Sequence, residues 1–302
     1  MIMKNLSRRS WLKSTLAISA ASCVSVNELN SADPEAHSND RYGVLVDTTV
    51  CIGCRNCEWA CKTVHNMPSE GFNTYKDREI FKNFRRPDPS ALTVVNEYEN
   101  KKNPLLPIDV KMQCMHCDYP SCSSACIVGA FKKQKNGAVT WDTDKCIGCR
   151  YCMVACPFQV PTFDYDKALR PDIKKCDFCF SRTSKGELPG CVNICPVEAL
   201  TYGPKPFLIK EARDRIKRKP ELYLDKIFGE YDAGGTSWIY LASKNFYEIG
   251  FPKVSTRPAP GVTEAIQHGI FAYFVPPLAL YSMLGGMMWY TKRRQAMEEE
   301  DK

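Results

Sequence analysis

Sixteen of the chain's seventeen cysteines fall into four groups of four between residues 51 and 195, so any fold must bring those groups into register. The first group is Cys51, Cys54, Cys57 and Cys61, and the second is Cys114, Cys117, Cys122 and Cys126. The third is Cys146, Cys149, Cys152 and Cys156, and the fourth is Cys176, Cys179, Cys191 and Cys195. The groups repeat. Asp47-Thr48-Thr49-Val50-Cys51-Ile52-Gly53-Cys54-Arg55 returns as Asp142-Thr143-Asp144-Lys145-Cys146-Ile147-Gly148-Cys149-Arg150. Groups two and four share a lysine-containing approach, a C-x-x-C pair, a longer gap and a C-x-x-x-C pair. The order is A-B-A-B, the mark of a duplicated unit.

Thiolates select soft or borderline metals, chiefly zinc and iron in iron–sulfur clusters. A structural zinc site joins one C-x-x-C knuckle to a second one far along the chain. Here residues 146–157 run C-x-x-C-x-x-C-x-x-x-C-P, the spacing of bacterial two-cluster ferredoxins. Three cysteines at two-residue gaps wrap a loop around one face of a cubane, with Ile147 and Gly148 allowing the tight turn. The fourth cysteine sits on the next helical turn and faces the neighbouring cluster. Lys62 and Ile127 stand where groups three and four have proline, and neither change removes a ligand. Sixteen cysteines therefore predict four [4Fe–4S] clusters with no ligand left over. The expected fold is α+β: tandem bacterial-ferredoxin-like domains, with Lys135-Asn136-Gly137 turning a hairpin between Ala130–Gln134 and Ala138–Trp141.

The flanks place that body. Arg8-Arg9 ahead of the apolar stretch Leu16–Val26, with Trp11 between, reads as a twin-arginine signal over residues 1–30. Cys23 lies within it and is given no role. A linker at 31–41 leads to the cluster body at 42–210, whose second subdomain spans about 111–164. Residues 62–110 read as a surface loop insertion, and 204–220 as a basic amphipathic helix between prolines. A membrane-proximal segment at 211–266 precedes an expected transmembrane helix at 267–291 and a cytoplasmic tail at 292–302. Ile270–Tyr290 is uncharged, and a span needs ~20 apolar residues. Lys292-Arg293-Arg294 puts its far end in the cytoplasm, which leaves the cysteine body on the periplasmic side of the inner membrane. The net charge of +7 is scattered, so no nucleic-acid surface is indicated. His268 beside Gln267 is read first as an interfacial histidine, and second as a contact for a quinone head group.

Met112–Cys126, Cys146–Asp166 and Leu188–Pro196 resemble the four-cluster [4Fe–4S] ferredoxin subunits of respiratory membrane oxidoreductases. Those include formate dehydrogenase beta subunits, dimethyl-sulfoxide-reductase-type B subunits and hydrogenase-2 iron–sulfur (HybA-type) subunits. The signal, the anchor, Gly234-Gly235-Thr236 and Ile266-Gln267-His268 are most similar to the hydrogenase-2 type. The resemblance implies a crossed ligation: Cys51, Cys54 and Cys57 with Cys195; Cys114, Cys117 and Cys122 with Cys156. Likewise Cys146, Cys149 and Cys152 would share a cluster with Cys126, and Cys176, Cys179 and Cys191 with Cys61. It also implies a non-catalytic electron-transfer subunit between the small and large subunits of a periplasmic [NiFe]-hydrogenase and a quinone-reactive integral membrane subunit. The alternative it leaves open is the beta subunit of a formate dehydrogenase or other molybdopterin oxidoreductase.

Overall fold

The computed structural model describes residues 41–100, 103, 105–166, 172–261 and 275–300. The expected signal, Cys23, most of the linker, Gln267 and His268 lie outside the described residues. In chain order the elements begin with β1 (Tyr42–Asp47) and α1 (Asn56–Val64). The 3-10 turns Phe72–Lys76 and Glu79–Lys82 lead to β2 (Val94–Tyr98) and β3 (Ile108–Met112). There follow α2 (Ser121–Ser124), β4 (Phe131–Lys133), β5 (Val139–Trp141) and α3 (Tyr151–Ala155). Next come β6 (Thr162–Asp164), β7 (Asp172–Lys174), α4 (Phe180–Thr183) and α5 (Gly190–Asn193). The body closes with β8 (Leu200–Pro204), α6 (Lys205–Arg218) and β9 (Trp238–Leu241).

The central sheet has the order β8-β1-β9, with β1 antiparallel to β8 and parallel to β9. Both faces of β1 are covered, which is why Val44-Leu45-Val46 is apolar without alternation. Leu45 faces the same way as Ile239 and Leu241 and packs on Leu208, Ala212 and Ile216 of α6. Those three helix positions recur at four-residue spacing, one stripe of an amphipathic helix. Pro206 suits the first turn of α6, and Arg215, Lys217 and Arg218 meet the negative end of its dipole. Val44 and Val46 face the other way, into a core shared with Val110, Phe178, Trp238 and Tyr240. That second face carries the cysteine loops.

Two segments differ from their expected roles. Residues 62–110 hold more than surface loop: β2 pairs antiparallel with β3, and Val94, Val95 and Val110 are fully buried. The pairing joins strands across a connection without a tight turn signal, and burial of the carboxylate of Glu58 beneath it draws β2 onto α1. Residues 211–261 belong to the same packing unit as the body, because β9 completes the central sheet and Phe228, Phe246 and Phe251 stack in its core. The hairpin between β4 and β5 forms where Asn136-Gly137 predicts it, with Gly137 at φ +91°.

The described part of the C-terminal unit is one helix, α7 (Val275–Glu300). Of the expected span at 267–291, residues 267–274 lie outside the described residues. No helix among the described residues is long and apolar enough to cross a membrane. Beyond Thr291, α7 is charged, and the described residues before it fall short of the ~20 apolar positions a crossing needs.

Candidate metal centres

The two repeats of Cys-Ile-Gly-Cys-Arg share one backbone. Gly53 and Gly148 have φ of +64° and +69°, and Arg55 and Arg150 follow at +59° and +62°. Each arginine sits at the N-terminus of a short helix, α1 or α3. Two left-handed residues in three positions coil the loop, so successive cysteines point inward rather than alternating outward. Gly53 is needed for space as well: a Cβ there would lie 2.3 Å from Asp109 Oδ1. Groups two and four use a related turn, with His116 and Phe178, one residue before the second cysteine, at φ +50° and +67°.

After the last cysteine of each group the chain must leave its helix. Gly129, Gln159 and Glu198, each three residues beyond that cysteine, have φ of +61°, +52° and +51°. The first group departs from this rule. With Lys62 in place of a proline, α1 continues past Cys61 to Val64. That extra turn meets α5, where Gly190 packs so closely that a Cβ would lie 2.7 Å from Val64 Cγ2.

The helices bring groups together in a nested way. α1 packs on α5, joining group one to group four, and α2 packs on α3, joining group two to group three. One cavity is lined by Cys51, Cys54, Cys57 and Cys195, with Val46, Ile52, Val95, Leu200 and Lys111 around them. A second is lined by Cys114, Cys117, Cys122 and Cys156, with Met115, Val139, Phe158 and Val160. Among the remaining eight cysteines, thiols of the expected sets raise one another's pKa. Burial pushes the Cys152 thiol up to about 12, helped by Cys146, Cys149 and Cys126. Burial likewise raises Cys176 well above the ordinary thiol range, with Cys61, Asp177 and Cys179 adding to it and Lys111 opposing. Cys179 is raised by burial and then by Cys191, with Cys61 adding further on.

All sixteen are free thiols, and only Cys149 is exposed. A buried thiol resists ionisation, whereas a coordinating thiol is deprotonated outright by its metal. Backbone N–H groups already point at the sulfurs. Ala130 N–H donates to Cys126 Sγ at 3.2 Å and Phe178 N–H to Cys176 Sγ at 3.4 Å. The N–H groups of Val160, Phe158 and Gln159 offset the burial that raises Cys156. Four sulfur donors in each of these two apolar cavities, with N–H groups aimed at sulfur, fit iron–sulfur clusters. At the fourth loop His65 and Asp177 also come within 4.8 Å of Cys179, but are tied to each other by a hydrogen bond.

Outside the cysteines, three polar locks hold the loops, and sequence reasoning missed all of them. Glu58 receives Val95 N–H and Arg85 Nη2, both at 2.6 Å, and faces Arg55. His65 bridges Cys61 O and Asp177 Oδ1, both at 2.8 Å, and so ties α1 to the fourth cysteine loop. Burial works against its charge, but Asp177 and Cys61 hold its pKa up to about 11, so the ring is an imidazolium donating from both nitrogens. Asp118, beside Cys117, draws Lys205 Nζ to 2.5 Å and Arg41 to 3.2 Å, fastening the second loop to the end of the central sheet where β1 begins and β8 ends. No local pattern marks these residues. Apart from Arg55 and Cys61, their partners lie 27 to 112 residues away in sequence.

Comparison with known proteins agrees with this donor chemistry. Residues 109–205 match the 4Fe-4S dicluster domain. The chain is 43% identical to a protein of Nitratidesulfovibrio vulgaris over 264 residues, 87% of this chain and 70% of that one. It is 30% identical to the hydrogenase-2 operon protein HybA of Escherichia coli O157:H7, covering 98% of each chain. It is also 35% identical to the B subunit of anaerobic dimethyl sulfoxide reductase from Escherichia coli K12, over 58% of this chain and 78% of that one.

Proposed function

The chain belongs to the HybA family of [4Fe–4S] ferredoxin subunits, and on that premise we propose that it carries electrons through four clusters within a membrane-bound respiratory complex. The observation that carries this reading is the nesting of the cysteine groups. Each C-x-x-C pair faces a lone cysteine from another group: Cys195 beside Cys51 and Cys54, and Cys156 beside Cys114, Cys117 and Cys122. We extend the same arrangement to Cys126 with Cys146, Cys149 and Cys152, and to Cys61 with Cys176, Cys179 and Cys191, sets whose thiols raise one another's pKa. When bound, the clusters supply one-electron chemistry. The chain supplies the thiolates, excludes water with Val46, Leu200, Val139 and Phe158, and aims N–H groups at sulfur. Because each group contributes to two sites, the loops also set the spacing between neighbours, which electron tunnelling demands.

The proposed donor is a periplasmic [NiFe]-hydrogenase, and the proposed acceptor a quinone-reactive integral membrane subunit. Similarity to a protein named for the hydrogenase-2 operon supports the first of these. Residues 267–291 would anchor the chain in the inner membrane after twin-arginine export of residues 1–30, and the chain itself would be non-catalytic. Similarity to the dimethyl sulfoxide reductase B subunit favours a second reading, the electron-transfer subunit of a molybdopterin oxidoreductase. Metal analysis of the co-purified complex separates the two, nickel supporting the first and molybdenum the second. The purified chain is expected to carry about sixteen irons, four per cluster; stoichiometric zinc without visible absorbance would sink the whole reading. Cys156→Ser is expected to disturb the cluster of Cys114, Cys117 and Cys122 and spare that of Cys146, Cys149 and Cys152. The opposite outcome rejects the crossed pairing. Deleting 267–302 is expected to leave a cluster-bearing protein uncoupled from quinone, and unchanged quinone reduction would reject the anchor's role.

A further inference from the structure

Two lysines stand inside the body where an ammonium ion has little reason to be. Lys111 is 2% exposed and Lys175 is 1% exposed. Neither forms an ion pair with a carboxylate among the described residues. Lys111 Nζ donates to Gln113 Oε1 at 2.8 Å and lies 4.4 Å from the centre of the Trp238 ring. Lys175 Nζ donates to the carbonyls of Val139 and Cys176 and lies 5.1 Å from the centre of the Trp141 ring. Amide oxygens, carbonyls and ring faces solvate a cation without neutralising it, and a buried charge left unneutralised is heavily penalised.

The missing negative charge is sulfur. Lys111 lines the cavity of Cys51, Cys54, Cys57 and Cys195. Burial pulls its pKa down, but Cys191 and Cys57, with Tyr240 and Cys176 behind them, hold it above the ordinary lysine value. It faces the first cysteine set directly, and the Trp238 ring it covers packs in one core with Cys191 of the set of Cys176, Cys179, Cys191 and Cys61. Lys175 Nζ reaches the carbonyl of Val139, which lines the cavity of Cys114, Cys117, Cys122 and Cys156, and the carbonyl of Cys176 in the fourth cysteine loop. It faces the set of Cys114, Cys117, Cys122 and Cys156 and, again, the set containing Cys176.

We propose that Lys111 and Lys175 are internal counter-charges, each raising the reduction potential of the two cysteine-bound clusters it stands between. This rests on the cluster reading above. A fixed positive charge favours the reduced, more negative cluster, so its removal lowers the midpoint potential. The cluster held by Cys176, Cys179, Cys191 and Cys61 feels both lysines and is the most affected. For Lys111 the cluster held by Cys146, Cys149, Cys152 and Cys126 is the internal control, since none of those cysteines shares the cavity or the core that Lys111 enters. It is no control for Lys175, whose Trp141 neighbour packs with Cys146 and Cys152. Both lysines act as positioning charges and touch no reacting atom.

The test is a redox titration followed by electron paramagnetic resonance, on the full chain in its complex, with iron content measured in parallel. Lys111→Met is expected to shift the reduction equilibrium of its two clusters at least tenfold towards the oxidised form, about 59 mV for a one-electron couple. The cluster of Cys146 should stay in place. Lys175→Met is expected to lower the cluster of Cys114 and the shared one, and Lys111→Arg to restore the wild-type potentials. Unmoved potentials in an iron-replete Lys111→Met protein overturn the proposal and leave the cluster assignment intact. An iron-free wild-type chain would overturn the cluster assignment itself. Should Lys111→Met fail to assemble, Gln113→Glu sets a carboxylate beside Nζ while keeping the lysine. It is expected to lower the same two potentials, and its failure to do so equally overturns the proposal.

Discussion

Glu58→Ala probes whether the polar lock under the first cysteine loop supports the whole body. The carboxylate is 2% exposed and takes five donors. Oε1 accepts from Val95 N–H and Arg85 Nη2, both at 2.6 Å, while Oε2 accepts from Arg55 and Arg85 at 3.2 to 3.4 Å. Arg85 can turn outward when its partner goes, but Arg55 cannot. It is 7% exposed, sits over the Tyr75 ring at 5.1 Å and retains only the backbone oxygens of Tyr75 and Asp77. Breaking a buried pair by removing one partner costs about 3–5 kcal/mol. At about 2–4 °C per kcal/mol for a body of this size, Tm is expected to fall by about 6 to 20 °C. The assay is a thermal scan at one fixed rate, because cluster loss makes unfolding irreversible. Glu58→Gln keeps the Val95 bond and should fall between wild type and Glu58→Ala. Combining Arg55→Met with Glu58→Gln removes the stranded charge, so the double variant should lose less than the sum of the singles. A Glu58→Ala protein melting within about 2 °C of wild type, or strictly additive losses, would refute the reasoning, since a buried charge left without its partner carries a penalty of that size.

Leu208→Ala removes a fully buried side chain between α6 and β1 and is expected to cost about 2–5 kcal/mol in a denaturant melt. Its exposed neighbour Phe207 should change stability by no more than about 0.5 kcal/mol when replaced by alanine. Gly53→Ala carries about 1–2 kcal/mol of backbone strain and must also displace Asp109, so iron per chain should drop by about one cluster. Gly129→Ala meets open space, carries the backbone strain alone and should keep its iron. Burial pushes the Asp109 carboxyl up to about 6, against Arg78 and with Glu97. The native state thus holds a proton that the unfolded chain releases near ~3.9. Stability should fall as pH rises from about 4 to about 6, then level off. Asp109→Asn should remove that slope in a pH series of melting curves, and an unchanged slope would exclude Asp109 as its source.

Much of the site was legible because its chemistry is local. Cysteine spacing names the donors, Asn136-Gly137 names the hairpin, and Leu208, Ala212 and Ile216 with Pro206 name α6. The parts that were not legible are those decided at a distance. Trp238–Leu241 is a four-residue apolar run with no turn or repeat to announce it, and only the open edge of β1 makes it a parallel strand. Val94–Tyr98 becomes a strand because Glu58 lies beneath it and Ile108–Met112 beside it. Nothing in the sequence around Lys111 and Lys175 marks them as buried. Their burial is a property of the assembled body, and no window of sequence contains it.

The pairing of β1 with β8 and of β4 with β5 also divides the chain in time. On the proposed ligation, the inner eight cysteines, Cys114 to Cys156, form a closed pair of sites as soon as residue 156 has been made. The outer sites cannot close then, because Cys51, Cys54 and Cys57 wait for Cys195. The 39 residues from Pro157 to Cys195 take about 2 to 8 s to add at ~5–20 residues per second. During that interval an N-terminal thiol loop stands open while the interior half is complete. A released chain ending near residue 170 would therefore carry the inner half alone, and Cys195 would be the residue whose synthesis commits the outer half to iron.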